Sequence, residues 1–144
     1  MTVAAMLKHK GHAVVSVHPT TTVADVVAVL AARRIGAVVV LDEEAHLSGL
    51  VSERDIVAAL AAHGAATLDM TANDLMTHDI VTVTRNTTVE KAMAIMTEGR
   101  FRHLPVLDGD RLIGVVSIGD VVKARIMAQE GEVESLRAYV AGAA

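Results

Sequence analysis

Two segments of the chain share one pattern: a glycine, two apolar residues, a serine, two variable residues and an aspartate. They are residues 49–55 and 114–120. Each serine is expected to begin a helix, where free backbone N–H groups favour a phosphate or another anion. The aspartate can accept hydrogen bonds from both hydroxyls of a diol such as ribose. The same spacing also forms a helix-capping box, so a ligand site and a purely structural cap both remain open.

A cationic cluster precedes a predicted strand in the C-terminal part of the chain. It consists of Arg100, Arg102 and His103. Guanidinium groups match phosphate oxygens in geometry and charge, and such a cluster is notable in a chain with a formal net charge of −4. The alternative is that Arg100 caps the end of the preceding helix while Arg102 faces water.

The composition excludes several other kinds of site. The chain has no cysteine, which excludes disulfides, thiolate catalysis and cysteine-based zinc sites. Its seven histidines are scattered, and it contains no Walker-type loop, GxGxxG fingerprint or nucleophile-elbow signature. We therefore predict no catalytic residues, no metal site and no enzyme activity.

The negative net charge argues against a nucleic-acid surface. No apolar run reaches the ~18 residues of a membrane span, so we predict a cytoplasmic protein without membrane contacts.

An internal repeat organises these residues. Thr-Thr-Val at 21–23 recurs at 87–89, and Val-Leu-Asp at 40–42 recurs at 106–108, both at a spacing of 66 residues. The spacing falls to 65 for the two glycine–serine–aspartate segments, which indicates the loss of one residue in a turn. The two candidate sites are therefore equivalent positions of two tandem repeats.

Each repeat is predicted to run strand, helix, strand, strand, helix, because β-rich runs flank segments whose apolar residues recur at three- and four-residue steps. The predicted elements of the first repeat are 13–17, 23–34, 37–41, 47–51 and 53–62, and those of the second repeat are 80–83, 89–99, 103–107, 112–116 and 118–129. The predicted fold class is α+β, with two tandem β-α-β-β-α repeats.

The repeats also predict the domain organisation. We expect a first repeat with its N-terminal segment at 1–65, a second repeat at 66–131, and a tail or short helix at 132–144. About 60 residues is a marginal size for independent folding. The repeats should therefore pack against each other about a pseudo-two-fold axis, which would create related clefts between them.

On these residues the chain resembles a pair of cystathionine-β-synthase (CBS) domains, the unit often called a Bateman module. The resemblance runs from about Thr2 to about Gln129. It rests on the paired glycine–serine–aspartate segments, on residues 100–106, and on threonine–valine helix starts at Thr22 and Thr88.

The resemblance implies a unit that binds an adenine-containing ligand: AMP first, with ATP, ADP, NAD(H) or S-adenosylmethionine as alternatives. Asp55 and Asp120 would hold ribose hydroxyls, and residues around the first strand of each repeat would flank the adenine. The implied residues are Val83, Thr84, Arg100, Arg102, His103, Pro105, Ser117 and Asp120 in the second repeat, and Val17, His18, Gly36, Ser52 and Asp55 in the first. Because Gly36 stands where the second repeat has Arg102, the first repeat lacks part of the cationic set.

The resemblance also implies a homodimer. No effector domain accompanies the repeats in this sequence, so we expect the signal to pass to a separate partner protein or to the oligomeric state. Two alternatives stay open. One is a structural or interaction module whose serines and aspartates only cap helices, and the other, least favoured, is a hydrolase or metal enzyme that uses His103.

Overall fold

The computed structural model describes residues 1–143 as an alternation of helices and short strands. The helices are α1 (Val3–Lys10), α2 (Val23–Arg33), α3 (Glu53–His63), α4 (Ala72–Leu75), α5 (Val89–Gly99) and α6 (Ile118–Ala143). The strands are β1 (Ser16–Val17), β2 (Ala37–Leu41), β3 (Leu47–Ser52), β4 (His103–Asp108) and β5 (Arg111–Ser117), and Gly64–Asp69 forms a 3₁₀ helix. The predicted mixed α+β class with two tandem repeats is confirmed. Over the described residues, the helices are too short or too polar to cross a membrane.

The two repeats build matching sheets of unequal size. β2 pairs antiparallel with β3, and β4 pairs antiparallel with β5, with a register shift after Val40 and after Val106. β1 joins the first sheet parallel to β2. In the second repeat the predicted first strand shrinks to one parallel bridge, in which Val83 N donates to Pro105 O at 3.0 Å and Leu107 N donates to Val83 O at 2.9 Å.

Threonines fix the helix starts that the sequence predicts. Thr22 Oγ1 accepts a hydrogen bond from Asp25 N at 3.2 Å, and Thr88 Oγ1 accepts one from Lys91 N at 3.1 Å. Each bond satisfies an amide that helix geometry leaves free, a contribution of about 1 kcal/mol. Because the two caps match, α2 and α5 begin at equivalent positions of the two repeats.

Two hydrophobic cores hold the structure, and each draws on segments from both sides of the repeat boundary. The first core consists of Val23, Val26, Leu30, Val38, Val40, Val51, Ile56, Ala72 and Met76. The second core consists of Val3, Met6, Leu7, Val83, Val89, Ala92, Met96, Leu104, Val106, Val116, Val121 and Ala124. Helix α1 therefore packs in the second core, whereas the α4 region packs in the first.

Backbone hydrogen bonds also hold the segment before each repeat against the other repeat. Val3 N donates to Thr87 O at 2.8 Å, and Val23 N donates to Met70 O at 2.8 Å. The division between residues 65 and 66 stays a prediction, but the segment before each repeat packs on the other repeat. The physical reason is that the three buried side chains of α1 complete the apolar interior under β4 and β5.

Helix α6 is longer than predicted. The sequence suggested a helix ending at Gln129 and a separate tail or short helix at 132–144, but a single helix of 26 residues runs from Ile118 to Ala143. Ala144 lies outside the described residues. No proline interrupts this stretch, and the Glu, Leu, Arg and Ala residues that follow Gly131 favour helix strongly enough to outweigh the roughly 1 kcal/mol cost of one glycine.

Candidate functional site

A cavity of about 930 Å³ lies between the two repeats, and equivalent parts of both repeats line it. Its walls are the two strand-to-helix corners, the two helix-to-strand corners and the chain before the first strand of each repeat. The residues at these places are Ser52, Asp55, Ser117 and Asp120, then Arg34, Gly36, Arg100, Arg102 and His103, and finally Ala13, Val14, Val15, Asp79 and Ile80. We call this cavity the central groove.

The serine and aspartate of each corner bond to each other at a helix start. In the first repeat, Ser52 N donates to Asp55 Oδ2 at 2.9 Å and Asp55 N donates to Ser52 Oγ at 3.3 Å. In the second, Ser117 N donates to Asp120 Oδ2 at 2.8 Å and Asp120 N donates to Ser117 Oγ at 3.1 Å. The caps considered from the sequence therefore exist. Both caps use Oδ2 of the aspartate. Among residues 1–143, neither Asp55 Oδ1 nor Asp120 Oδ1 has a hydrogen bond from the protein.

Lys10 makes the two corners unequal. Its Nζ donates to Asp120 Oδ2 at 2.6 Å and to Val115 O at 2.7 Å. Burial raises the pKa of Asp120, but the hydrogen bonds from Lys10 and Ser117 outweigh burial and hold that pKa below its ordinary value. Leu7 and Met76 are equivalent, since they pack against Gly114 and Gly49, and no lysine follows Met76 in residues 77–80. Lys10 was not predicted from the sequence, since only the packing of α1 on the second repeat brings it to this carboxylate.

Four arginines line the groove. Arg34 and Arg100 end α2 and α5 in the left-handed conformation, with φ of 53° and 57°, so they occupy equivalent places. Arg102 has no counterpart in the first repeat, where Gly36 holds the equivalent position. Arg54 has no counterpart in the second repeat, where Gly119 holds the equivalent position. The first repeat thus contributes two arginines, and the cationic deficit expected from Gly36 is smaller than the sequence suggested.

His103 lies where the two repeats meet. Gly36 of the first repeat lies against the imidazole, since a Cβ atom at Gly36 would be 3.4 Å from His103 Nε2, a van der Waals contact. Burial lowers the pKa of His103, and the charge of Lys10 lowers it further, while the carboxylates of Asp120 and Glu53 oppose this shift. The imidazole is therefore mainly neutral at pH 7, able to donate one hydrogen bond and accept another.

Five of the predicted binding residues do not line the central groove. Val83 and Pro105 are buried in the second repeat, and Val17 lies within β1. His18 Nδ1 is 2.8 Å from Thr20 Oγ1, and Thr84 N donates to Thr87 Oγ1 at 3.1 Å, so both belong to local turns.

The chain before these strands lines the groove instead. The residues are Ala13, Val14 and Val15 in the first repeat and Asp79 and Ile80 in the second, at the same spacing of 66. The groove also has apolar side chains at Ile35 and Phe101, which are equivalent positions. The repeat spacing of 66 residues relates both sets of positions, so it is the sequence signal that could have identified them. Carboxylates, guanidinium groups and an apolar wall therefore share one groove.

One acidic cluster lies outside the groove. Asp42, Glu44 and His46 come close enough at the turn between β2 and β3 to hold a metal ion. However, Asp42 Oδ1 accepts backbone N–H bonds from Glu44 and His46, each at 2.9 Å. These bonds shape the turn and account for the cluster without a ligand.

A model of the CBS domain matches the chain twice, at residues 9–62 and 72–126. Among curated proteins, the CBS domain-containing protein CBSX3, mitochondrial, of Arabidopsis thaliana is 38% identical over 125 residues. The match covers 84% of this chain and 61% of that protein, so the chain spans about three fifths of this relative.

Solved structures show the same likeness. The CBS-domain containing protein ATU1752 from Agrobacterium tumefaciens superposes with a TM-score of 0.84 and 45% identity, over 86% of this chain and 92% of that one. The CBS domain protein PAE2072 from Pyrobaculum aerophilum, solved in complex with AMP, gives a TM-score of 0.74 and 29% identity, over 83% and 89% of the two chains.

Proposed function

Because this chain belongs to the CBS domain family, we propose that it is a regulatory module that binds an adenine nucleotide in its central groove. AMP is the first candidate, and ATP, ADP and NAD(H) are alternatives of the same class. The observation that carries the proposal is that two serine–aspartate corners and four arginines converge on one cavity of about 930 Å³. Cavities of roughly 300–1,000 Å³ suit ligands of nucleotide size. A relative of the same fold that was solved with AMP supports this choice.

The chemistry of the walls suggests how the nucleotide lies. The ribose diol donates to an aspartate Oδ1 atom, and the phosphate pairs with Arg100 and Arg102. Asp55 is the more accessible diol acceptor, since Asp120 already accepts from Lys10 at 2.6 Å. The Lys10 ammonium group also neutralises part of the negative charge of Asp120, so its free Oδ1 is the weaker acceptor and the two corners should differ in affinity.

The output of the module follows from the family. CBS domains serve in general as regulatory units, and we propose that ligand binding here controls a partner protein or the oligomeric state instead of starting a reaction. The cytoplasmic location, the homodimer and the absence of enzyme activity stay predictions from the sequence.

Calorimetry on protein stripped of bound nucleotide tests the proposal. AMP, ADP, ATP, NAD(H) and adenosine are titrated in turn, and the melting temperature is measured with each. At a concentration of ~100 times Kd, a ligand should stabilise the fold by about 2.7 kcal/mol. If all five ligands give neither heat nor a shift in melting temperature, the proposal is wrong.

Replacing Arg102 with alanine should weaken AMP binding by about 10- to 100-fold and adenosine binding by less than about 3-fold. A charge-assisted hydrogen bond to phosphate contributes about 1.5–3 kcal/mol. Adenosine carries no phosphate, so its binding does not depend on this bond. The measurement is the ratio of the two dissociation constants by calorimetry. Arg111→Ala is the control, because Arg111 is exposed and lies outside the groove. Equal losses for AMP and adenosine would remove Arg102 from the phosphate site.

A purely structural module is the second candidate, and the observed caps favour it. Ser52 and Asp55 form a complete capping box, which would account for these residues without a ligand. The variants Asp55→Asn and Asp120→Asn separate this candidate from the nucleotide module, because a purely structural cap predicts no change in nucleotide binding.

A further inference from the structure

Helix α6 carries a long apolar stripe that faces away from the second core. The helix packs inward through Val121 and Ala124, which are 1% and 5% exposed. The stripe lies on the opposite side and continues past the body of the protein. Its members are between 46% and 63% exposed: Ile118, Val122, Ile126, Val133, Leu136 and Val140. A soluble chain rarely leaves so extended an apolar surface open to water.

The stripe has the spacing of a coiled-coil seam. From position 122 the steps alternate between four and three residues, through 126, 129, 133, 136 and 140. That is a heptad repeat in which Ile126, Val133 and Val140 occupy a positions and Leu136 occupies a d position. Gln129 is the polar d position. β-Branched residues at a and leucine at d are the combination that favours two strands over three or four in a parallel coiled coil.

The charges beside the seam agree with a parallel pair. In a parallel, in-register coiled coil, each g position faces the e position five residues later on the other helix. Here Arg125 faces Glu130, and Glu132 faces Arg137, so both contacts join opposite charges. All four residues are exposed, although Arg125 Nη1 also lies 3.1 Å from Glu90 Oε1.

The antiparallel arrangement is disfavoured by the same charges. Over the full length of the stripe, antiparallel pairing places Val122 opposite Val140 and brings Glu130 and Glu132 close to the same residues of the other chain. Like charges across a seam repel. The parallel arrangement keeps the whole stripe covered without this repulsion.

We propose that the α6 stripe of one chain pairs with the α6 stripe of a second copy of this chain as a parallel, in-register coiled coil. The stripe is self-complementary, so a two-fold axis along the seam covers both copies at once. This inference does not depend on nucleotide binding, and it assigns an interface and an orientation to the predicted homodimer.

Single cysteines test the orientation, because the chain has none of its own. Leu136→Cys places one thiol in the seam, and Ala138→Cys, on the opposite side of the helix, is the matched control. Under mild oxidation of the full chain at micromolar concentration, Leu136→Cys should form a disulfide-linked dimer and Ala138→Cys should stay unlinked. Equal cross-linking at both positions would overturn the proposal. Cross-linking that appears only when Val122→Cys and Val140→Cys proteins are mixed would overturn it too, in favour of an antiparallel pair.

A charge in the seam tests the interface itself. Leu136→Asp should raise the dimer dissociation constant by about 100-fold or more in sedimentation experiments, because two buried leucines are lost and two carboxylates face each other. Ala138→Asp should change it by less than about 3-fold. Leu136 is 63% exposed, so the melting temperature of the diluted variant reports whether the monomer remains folded. A wild-type chain that is monomeric, or a Leu136→Asp chain that dimerises as tightly as the wild type, would refute the pairing.

Discussion

Replacing Leu7 with alanine should lower the free energy of unfolding by about 2–5 kcal/mol, the range for a large-to-small change in a packed core. Leu7 is 1% exposed and lies in the second core. It packs against β5 so closely that a Cβ atom at Gly114 would lie 2.6 Å from Leu7 Cδ2. Urea unfolding followed by circular dichroism measures the change.

Leu60→Ala is the matched control for this experiment. Leu60 is 40% exposed on α3, so the same chemical change should cost less than about 1 kcal/mol. If both variants lose the same small amount, α1 is not part of the second core, and the exchange of segments between the repeats is refuted.

Changing both Asp55 and Asp120 to asparagine should weaken nucleotide binding by about 100-fold or more. Each carboxylate is expected to accept hydrogen bonds from a ribose diol, and a hydrogen bond to a charged group contributes about 1.5–3 kcal/mol. Of the single variants, Asp55→Asn should cause the larger loss, since Asp120 is already paired with Lys10. Calorimetry with AMP and adenosine should show losses of similar size, because both ligands carry the diol.

The fold should survive these changes, because an asparagine oxygen can still accept the capping bond from the serine N–H. Asp25→Asn is the matched control: Asp25 holds the corresponding place in the first turn of α2 but lies outside the groove. Unchanged nucleotide binding in the folded double variant would favour the purely structural module, in which these residues only cap helices.

The sequence predicted most of the local structure because its signals are local. The threonine caps and the apolar periodicity placed α5 at its observed bounds and α2 within one residue of them. Strand β2 was also predicted at its observed bounds, since a continuous β-branched run lies between an arginine-containing turn and an acidic turn. The end of α6 was missed, because the helix was predicted only to Gln129 although strong helix formers follow Gly131.

Long-range packing was not predictable in the same way. The apolar pattern of residues 3–7 shows that this segment is buried, but both repeats offer an equivalent surface, so the pattern cannot choose between them. Lys10 was missed for that reason, since its carboxylate partner is 110 residues away in sequence. The serine–aspartate corners and Arg100, Arg102 and His103 lie on the groove wall because their own motifs fix them at strand and helix ends. Whether they bind a ligand stays a prediction.

The exchanged packing of α1 sets an order of events during translation. The first core is complete once Met76 has left the ribosome, whereas the second core needs Ala124. At a synthesis rate of about 5–20 residues per second, the delay is roughly 2–10 s. For that interval α1 is a nascent segment whose apolar side chains have no partner, so the growing chain offers chaperones a binding site that the finished protein conceals.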